Sequence, residues 1–205
     1  AWRDVLAKSP RAEPALQREL ARIGEPVAAA VGRPDLDWEF VVFDSPEINA
    51  FVLPGGKVGF YRGLLEFAAD RAQVAAVMGH EAGHVLARHA AERMSQQALA
   101  DIGTQVAGAV LAEEFGAHAR EITAALGMGV TYGVILPYSR RQEFEADRLG
   151  VRLAAQAGFD PRGAETFWRR MIARSQGGEL AFLSTHPAGP ERLQRLQAEI
   201  TALPA

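Results

Sequence analysis

His80-Glu81-Ala82-Gly83-His84 reads H-E-x-x-H within an otherwise apolar run from Val77 to Leu86. A helix turns about 100° per residue, so these two histidines stand one turn apart on one face. Two neutral imidazoles at that spacing hold one Zn²⁺, and Glu81 beside them reaches a water on the metal as its general base. Burying two imidazoles and a carboxylate in an apolar helix without a partner is expensive, which favours a metal over a pair of satisfied core histidines. Ala82 and Gly83, between the histidines, are small enough for another element to approach the helix closely.

A zinc hydrolase needs a third protein ligand and one open position. The three-histidine metzincin pattern would place Gly at 87 and His at 90, where Ala87 and Ala90 stand; His89 misses by one residue and about 100°. A glutamate about twenty residues past the second histidine is also missing, since Gly103 and Thr104 occupy those positions. The remaining source is Glu143-Phe144-Glu145-Ala146-Asp147. Glu143 and Asp147 share a helix face and Glu145 does not. Glu143 is therefore assigned as the third ligand, with Asp147 placed to accept the outer N–H of a ligating histidine and fix its tautomer. The competing reading is an exposed acidic face beside Arg140, Arg141 and Arg148.

The elements that must position these residues follow from periodicity. Leu16, Leu20, Ile23 and Val27 predict an amphipathic helix over residues 11–31, kinked or divided at Pro26. Alternation at Trp38, Phe40 and Val42 opens a strand region over 37–61, where Pro54-Gly55-Gly56-Lys57 turns a hairpin. Asp70 and Gln73 form a capping box for a metal-binding helix over 71–97. Two Ala/Gly-rich helices are expected within 102–136. Ser139 and Gln142 cap a third-ligand helix over 139–157, and further helices span 160–202. The class is α+β and mostly helical, in a single domain over 1–205, with a small antiparallel sheet or hairpin before the H-E-x-x-H helix.

Composition supports a globular protein: 48% of the 205 residues are hydrophobic, 23% charged, and the net charge of −3 gives no support for nucleic-acid binding. With no cysteine there is no disulfide and no thiolate metal site. The opening residues lack the basic region and apolar core of a signal peptide. The uncharged stretch 122–139 contains Gly127, Gly129, Gly133 and Pro137, so its hydropathy is weak for a transmembrane span and none is expected. The helices within 102–136 instead suit close packing in protein or peripheral association with a membrane surface.

Several ordered motifs carry a family resemblance. His80-Glu81-Ala82-Gly83-His84 with Arg88-His89, then Tyr138 through Gly150, resembles the HtpX/CAAX-protease-type zinc endopeptidases, gluzincins of zincin fold. The soluble BepA-like bacterial branch is the most similar. Asn49-Ala50-Phe51, Pro54-Gly55-Gly56, Gly63-Leu64-Leu65 and Ser184-Thr185-His186-Pro187 also match. The resemblance implies one zinc per chain on His80, His84 and Glu143, with Asp147 in support. It also implies that His186 can occupy the water position in a self-inhibited state, with Arg192 a basic residue near it. A solvent-exposed loop histidine is the plain alternative for His186.

The resulting expectation is a zinc metalloendopeptidase in which Glu81 assists attack of a zinc-bound water on a peptide bond. Its substrates would be unfolded or misassembled proteins, bound extended along the hairpin edge. The alternative is a zinc-stabilised, self-inhibited chaperone that holds such proteins and seldom cuts them. By resemblance, localisation is periplasmic or cell-envelope associated.

Overall fold

The computed structural model describes residues 2–93, 95, 138–175 and 180–204. Contacts divide the chain into two compact units, residues 1–88 with 138–205, and residues 89–137. All elements named here belong to the first. The two Ala/Gly-rich helices expected within 102–136, and the surface association assigned to them, lie outside the described residues. Among the described residues no helix is long and apolar enough to cross a membrane.

Two helices precede the sheet, α1 (Trp2–Lys8) and α2 (Pro14–Val31). α2 starts on proline, which gives up only an N–H that has no helical partner there. Of the two expectations for Pro26, a kink or a division, the division does not occur: the helix runs through Pro26 as one element, and Gly32 closes it in the left-handed conformation. Its buried stripe is Leu20, Ile23 and Val27, as the spacing predicts.

Strands β1 (Glu39–Phe43), β2 (Ala50–Leu53) and β3 (Lys57–Tyr61) follow. The β2–β3 hairpin is antiparallel as expected, but β1 pairs with β3 in parallel, giving the order β1-β3-β2. The expected antiparallel sheet is thus a mixed one. Side-chain alternation encodes which face a residue occupies but not the direction of its neighbouring strand, so the sequence pattern could not distinguish the two. The outer edge of β1 is occupied. Arg11 bridges Phe43, and the Gln17 side chain both donates to the Val42 carbonyl (2.7 Å) and accepts from its N–H (2.9 Å). Among the described residues, β2 pairs with β3 alone.

Helix α3 (Arg62–Phe67) leads into α4 (Arg71–Leu86), which carries H-E-x-x-H. Asp70 accepts from the Gln73 N–H (2.9 Å), while Gln73 accepts from Ala69 one residue before the expected box position. The metal helix expected over 71–97 ends at Leu86. Arg88 adopts φ 57°, which interrupts the helical ladder, and helical turns resume at residues 89–93. A non-glycine residue in the left-handed region carries no local sequence signal, so periodicity alone predicts an unbroken helix there.

The remaining helices are α5 (Arg140–Gln156), α6 (Arg162–Ser175), α7 (Ala181–Thr185) and α8 (Pro190–Thr201). The capping box of α5 forms as expected: Ser139 and Gln142 satisfy each other's backbone N–H groups. Val42, Val52, Val58 and Phe60 of the sheet join Val77 and Met78 of α4, Val151 of α5 and Phe167 of α6 in one core.

The crossing of α4 and α5 is set by small residues. A Cβ on Gly79 would stand 2.5 Å from the Gly150 carbonyl oxygen, and one on Gly83 would stand 2.7 Å from that of Ala146. A Cβ on Gly150 would meet the His80 nitrogen at 2.7 Å. Each obstacle is backbone, which cannot swing aside. Gly150→Ala should therefore cost about 1–3 kcal/mol, measured as a lower denaturant midpoint with unchanged m-value. Wild-type stability would show that the helices can separate freely.

Candidate metal and catalytic site

The α4–α5 crossing brings together residues 59 positions apart in the chain. His80 and His84 come from α4, Glu143 from the first turn of α5, and His186 from the residue that ends α7. One donor atom of each lies within 4.8 Å of all the others, and all four side chains are buried. His80 Nε2 stands 3.0 Å from His84 Nε2 and 3.2 Å from His186 Nδ1. Glu143 Oε1 stands 3.3 Å from His84 Nε2 and 3.1 Å from His186 Nδ1, and Glu143 Oε2 is 3.6 Å from His80 Nε2. Donors bonded at about 2.0–2.1 Å to one tetrahedral zinc lie roughly 3.3–3.4 Å apart, so the spacing fits that ion.

The tautomer of His80 is settled by its other nitrogen. Nδ1 lies 2.9 Å from Asp147 Oδ1, so Nδ1–H donates there and Nε2 presents a lone pair to the cluster. Asp147 in turn receives a forked pair from Arg192, Nε to Oδ2 at 2.6 Å and Nη2 to Oδ1 at 2.8 Å. Arg192 Nη1 also reaches Glu143 Oε2 at 2.5 Å and donates to the Pro187 carbonyl at 3.0 Å. The α8 guanidinium therefore ties both α5 carboxylates to the loop after His186.

Glu81 points into the same chamber with 1% exposure. Its Oε1 has no hydrogen-bond partner, although His186 Nε2 stands 3.4 Å away. Burial pushes its carboxyl above the usual 4.5, against the opposing pull of His186 and His80. Glu143 and Asp147 behave oppositely. Burial is the largest single effect and raises both, but the charge of Arg192 and the contacts with the neighbouring histidines together outweigh it, and both are held below their ordinary values. Burial drives the His84 imidazole well below 6.5, which keeps it neutral and available as a ligand. With neutral imidazoles and ionised carboxylates, Glu81, Glu143, Asp147 and Arg192 leave an excess of two buried negative charges. A dication neutralises it.

Every residue assigned from the sequence is thus placed in one cluster: His80, Glu81, His84, Glu143, Asp147, His186 and Arg192. Three aromatic residues there were not singled out as site residues. Tyr138 stacks on His84 with ring centroids 3.9 Å apart, Phe182 lies 4.5 Å from the His186 ring, and Trp168 lies beneath Arg192. Tyr138 stands directly before the Ser139 cap, within the motif that carries the resemblance. Trp168 and Phe182 follow ordinary core periodicity and carry no separate signal.

Without Arg192, two buried carboxylates lose their counter-charge. Arg192→Met should destabilise the metal-free protein by about 3–5 kcal/mol at neutral pH. The sign with pH also differs. In the wild type the lowered carboxyls contribute stability that is present above their ordinary values of 4.5 and 3.8 and is lost as pH falls below them. In the variant only the histidines oppose burial, so both carboxyls move upward and acidification should restore part of the lost stability. Parallel chemical denaturation curves of the two proteins between pH 7 and 4 check this; equal slopes would contradict the pairing.

A model of peptidase family M48 matches residues 14–200. The mitochondrial metalloendopeptidase OMA1 of Schizosaccharomyces pombe is 37% identical over 181 residues, covering 87% of this chain and 51% of its own. Its Homo sapiens counterpart is 34% identical over 174 residues, covering 80% and 33%. The β-barrel assembly-enhancing protease of Escherichia coli is 28% identical over 185 residues, covering 88% and 38%. The chain spans about half the length of the first of these relatives and less of the other two.

Proposed function

The chain belongs to peptidase family M48 and to the metalloendopeptidase class, with zinc as its metal, and from that premise we propose how this chain cuts and what it cuts. The reading is zinc-dependent hydrolysis of internal peptide bonds in unfolded or misassembled proteins, with His80, His84 and Glu143 as ligands. One observation carries it: three lone-pair donors from two helices converge beside a buried carboxylate whose Oε1 has no hydrogen-bond partner.

Bound there, zinc supplies a Lewis acid for the scissile carbonyl and makes water a competent nucleophile near neutral pH. Glu81 takes the proton of the attacking water at Oε1 and delivers it to the leaving amine nitrogen. Its raised carboxyl suits both halves of that transfer, since it is a better base than an exposed glutamate and a stable acid once protonated. Asp147 holds His80 with Nε2 inward, and Arg192 holds Asp147. An extended substrate segment pairs along β2, the sheet edge adjoining α4, through backbone hydrogen bonds that read little sequence.

His186 supplies a fourth donor and, in this reading, closes the position that water needs. The resting enzyme is therefore self-inhibited, and cutting requires the segment around Pro187 to withdraw. The setting we favour is the cell envelope, supported by the β-barrel assembly in the name of the Escherichia coli relative; the mitochondrial names of other relatives do not support the narrower periplasmic assignment.

A holding function without cutting gains support from the same fourth donor. Glu81→Gln should keep one zinc per chain and lose at least about a hundredfold in cleavage of unfolded casein. Cleavage at the wild-type rate would sink the role of Glu81. Glu143→Ala should lose the zinc, as read by metal analysis after dialysis. His186→Ala should cut faster than wild type. If neither cuts while both suppress aggregation, the holding function replaces the protease.

A further inference from the structure

The Arg192 guanidinium is fixed along its edges by Asp147, Glu143 and the Pro187 carbonyl. Hydrogen bonds in the guanidinium plane leave tilting out of that plane weakly opposed. Its face is covered by Trp168, whose ring centroid lies 3.5 Å from Cζ. Trp168 also meets His80 edge-to-face at 5.8 Å and stacks on Phe182 at 5.6 Å with planes 21° apart. Phe182 lies against His186. Arg192 and Trp168 are 2% and 3% exposed, so water screens neither the cation–π contact nor the ion pairs.

We propose that Trp168, on α6, is a positioning residue of the metal site. By covering the guanidinium face it keeps Arg192 aligned on Asp147 and Glu143, and so sets how tightly the site retains zinc. It supplies no ligand and touches no substrate. Its action runs through Arg192 to Asp147 and then to His80 Nδ1, a chain of contacts of the kind that orients a metal-binding imidazole. The inference rests on the zinc reading given above.

The plain alternative is that Trp168 merely fills the core. Phe167 beside it offers a control, being 1% exposed on the same helix and packed on Phe67 and Phe182. The test is the zinc dissociation constant of the folded protein, measured by competition with a chelator. Trp168→Leu should weaken zinc binding about tenfold or more, while Trp168→Phe, which keeps an aromatic face, and Phe167→Leu should stay within about threefold of wild type. Wild-type affinity in Trp168→Leu, or equal weakening in Phe167→Leu, overturns the proposal.

Should Trp168→Leu fail to fold, a second measurement decides. The chain has three tryptophans, so Trp2→Phe with Trp38→Phe leaves Trp168 as the only reporter. Its emission should change during zinc titration with a one-to-one endpoint, and unchanged emission overturns the proposal. A wild-type protein that binds no zinc would refute the metal reading itself, an outcome distinct from zinc binding that is indifferent to Trp168.

Discussion

Helices α4 and α5 share a metal site because their backbones nearly touch. Gly79, Gly83 and Gly150 lack the side chains that would hold the helices apart, and a Cβ added at any of the three would collide with backbone rather than with a movable group. The donors of α4 and α5 therefore belong to one rigid body. A loop-borne third ligand would have to be ordered by the metal. Here packing does that work, because Glu143 and Asp147 ride on a capped helix whose position is fixed by the crossing itself.

Such rigidity is compatible with folding only if the charges it buries are neutralised. Glu143 and Asp147 are nearly inaccessible, and Arg192 is paired with both. Its placement on α8, late in the chain, makes the site depend on the correct docking of the C-terminal helices. Tertiary assembly and a competent metal site are consequently a single event: until α8 arrives, the carboxylates of α5 have no reason to be dry.

The sequence showed the chemistry more completely than it showed the geometry. H-E-x-x-H and the Glu143/Asp147 pair are legible because helical spacing converts directly into a shared face. Elimination of positions 90, 103 and 104 points to α5 without knowledge of the fold. His186 and Arg192 came through family resemblance, since neither has a spacing relation to the histidines that local geometry could interpret. The parallel pairing of β1 and the helix break at Arg88 were missed for a different reason. Strand direction and a left-handed non-glycine residue are decided by tertiary packing, and neither leaves a local pattern. Trp168 was hidden in plain periodicity, where a core residue and one that steadies a buried cation look alike.

The occupied edge of β1 bears on how this protein behaves in a crowded solution. Arg11 and Gln17 cover the C-terminal end of that edge, at Val42 and Phe43, where another strand would otherwise pair. A sheet with two open edges can polymerise, because every added molecule presents a fresh edge for the next. With β1 plugged, edge pairing through β2 stops after one partner. Among the described residues this asymmetry leaves one sheet edge, β2, open to a further strand, and a single open edge cannot seed a fibre.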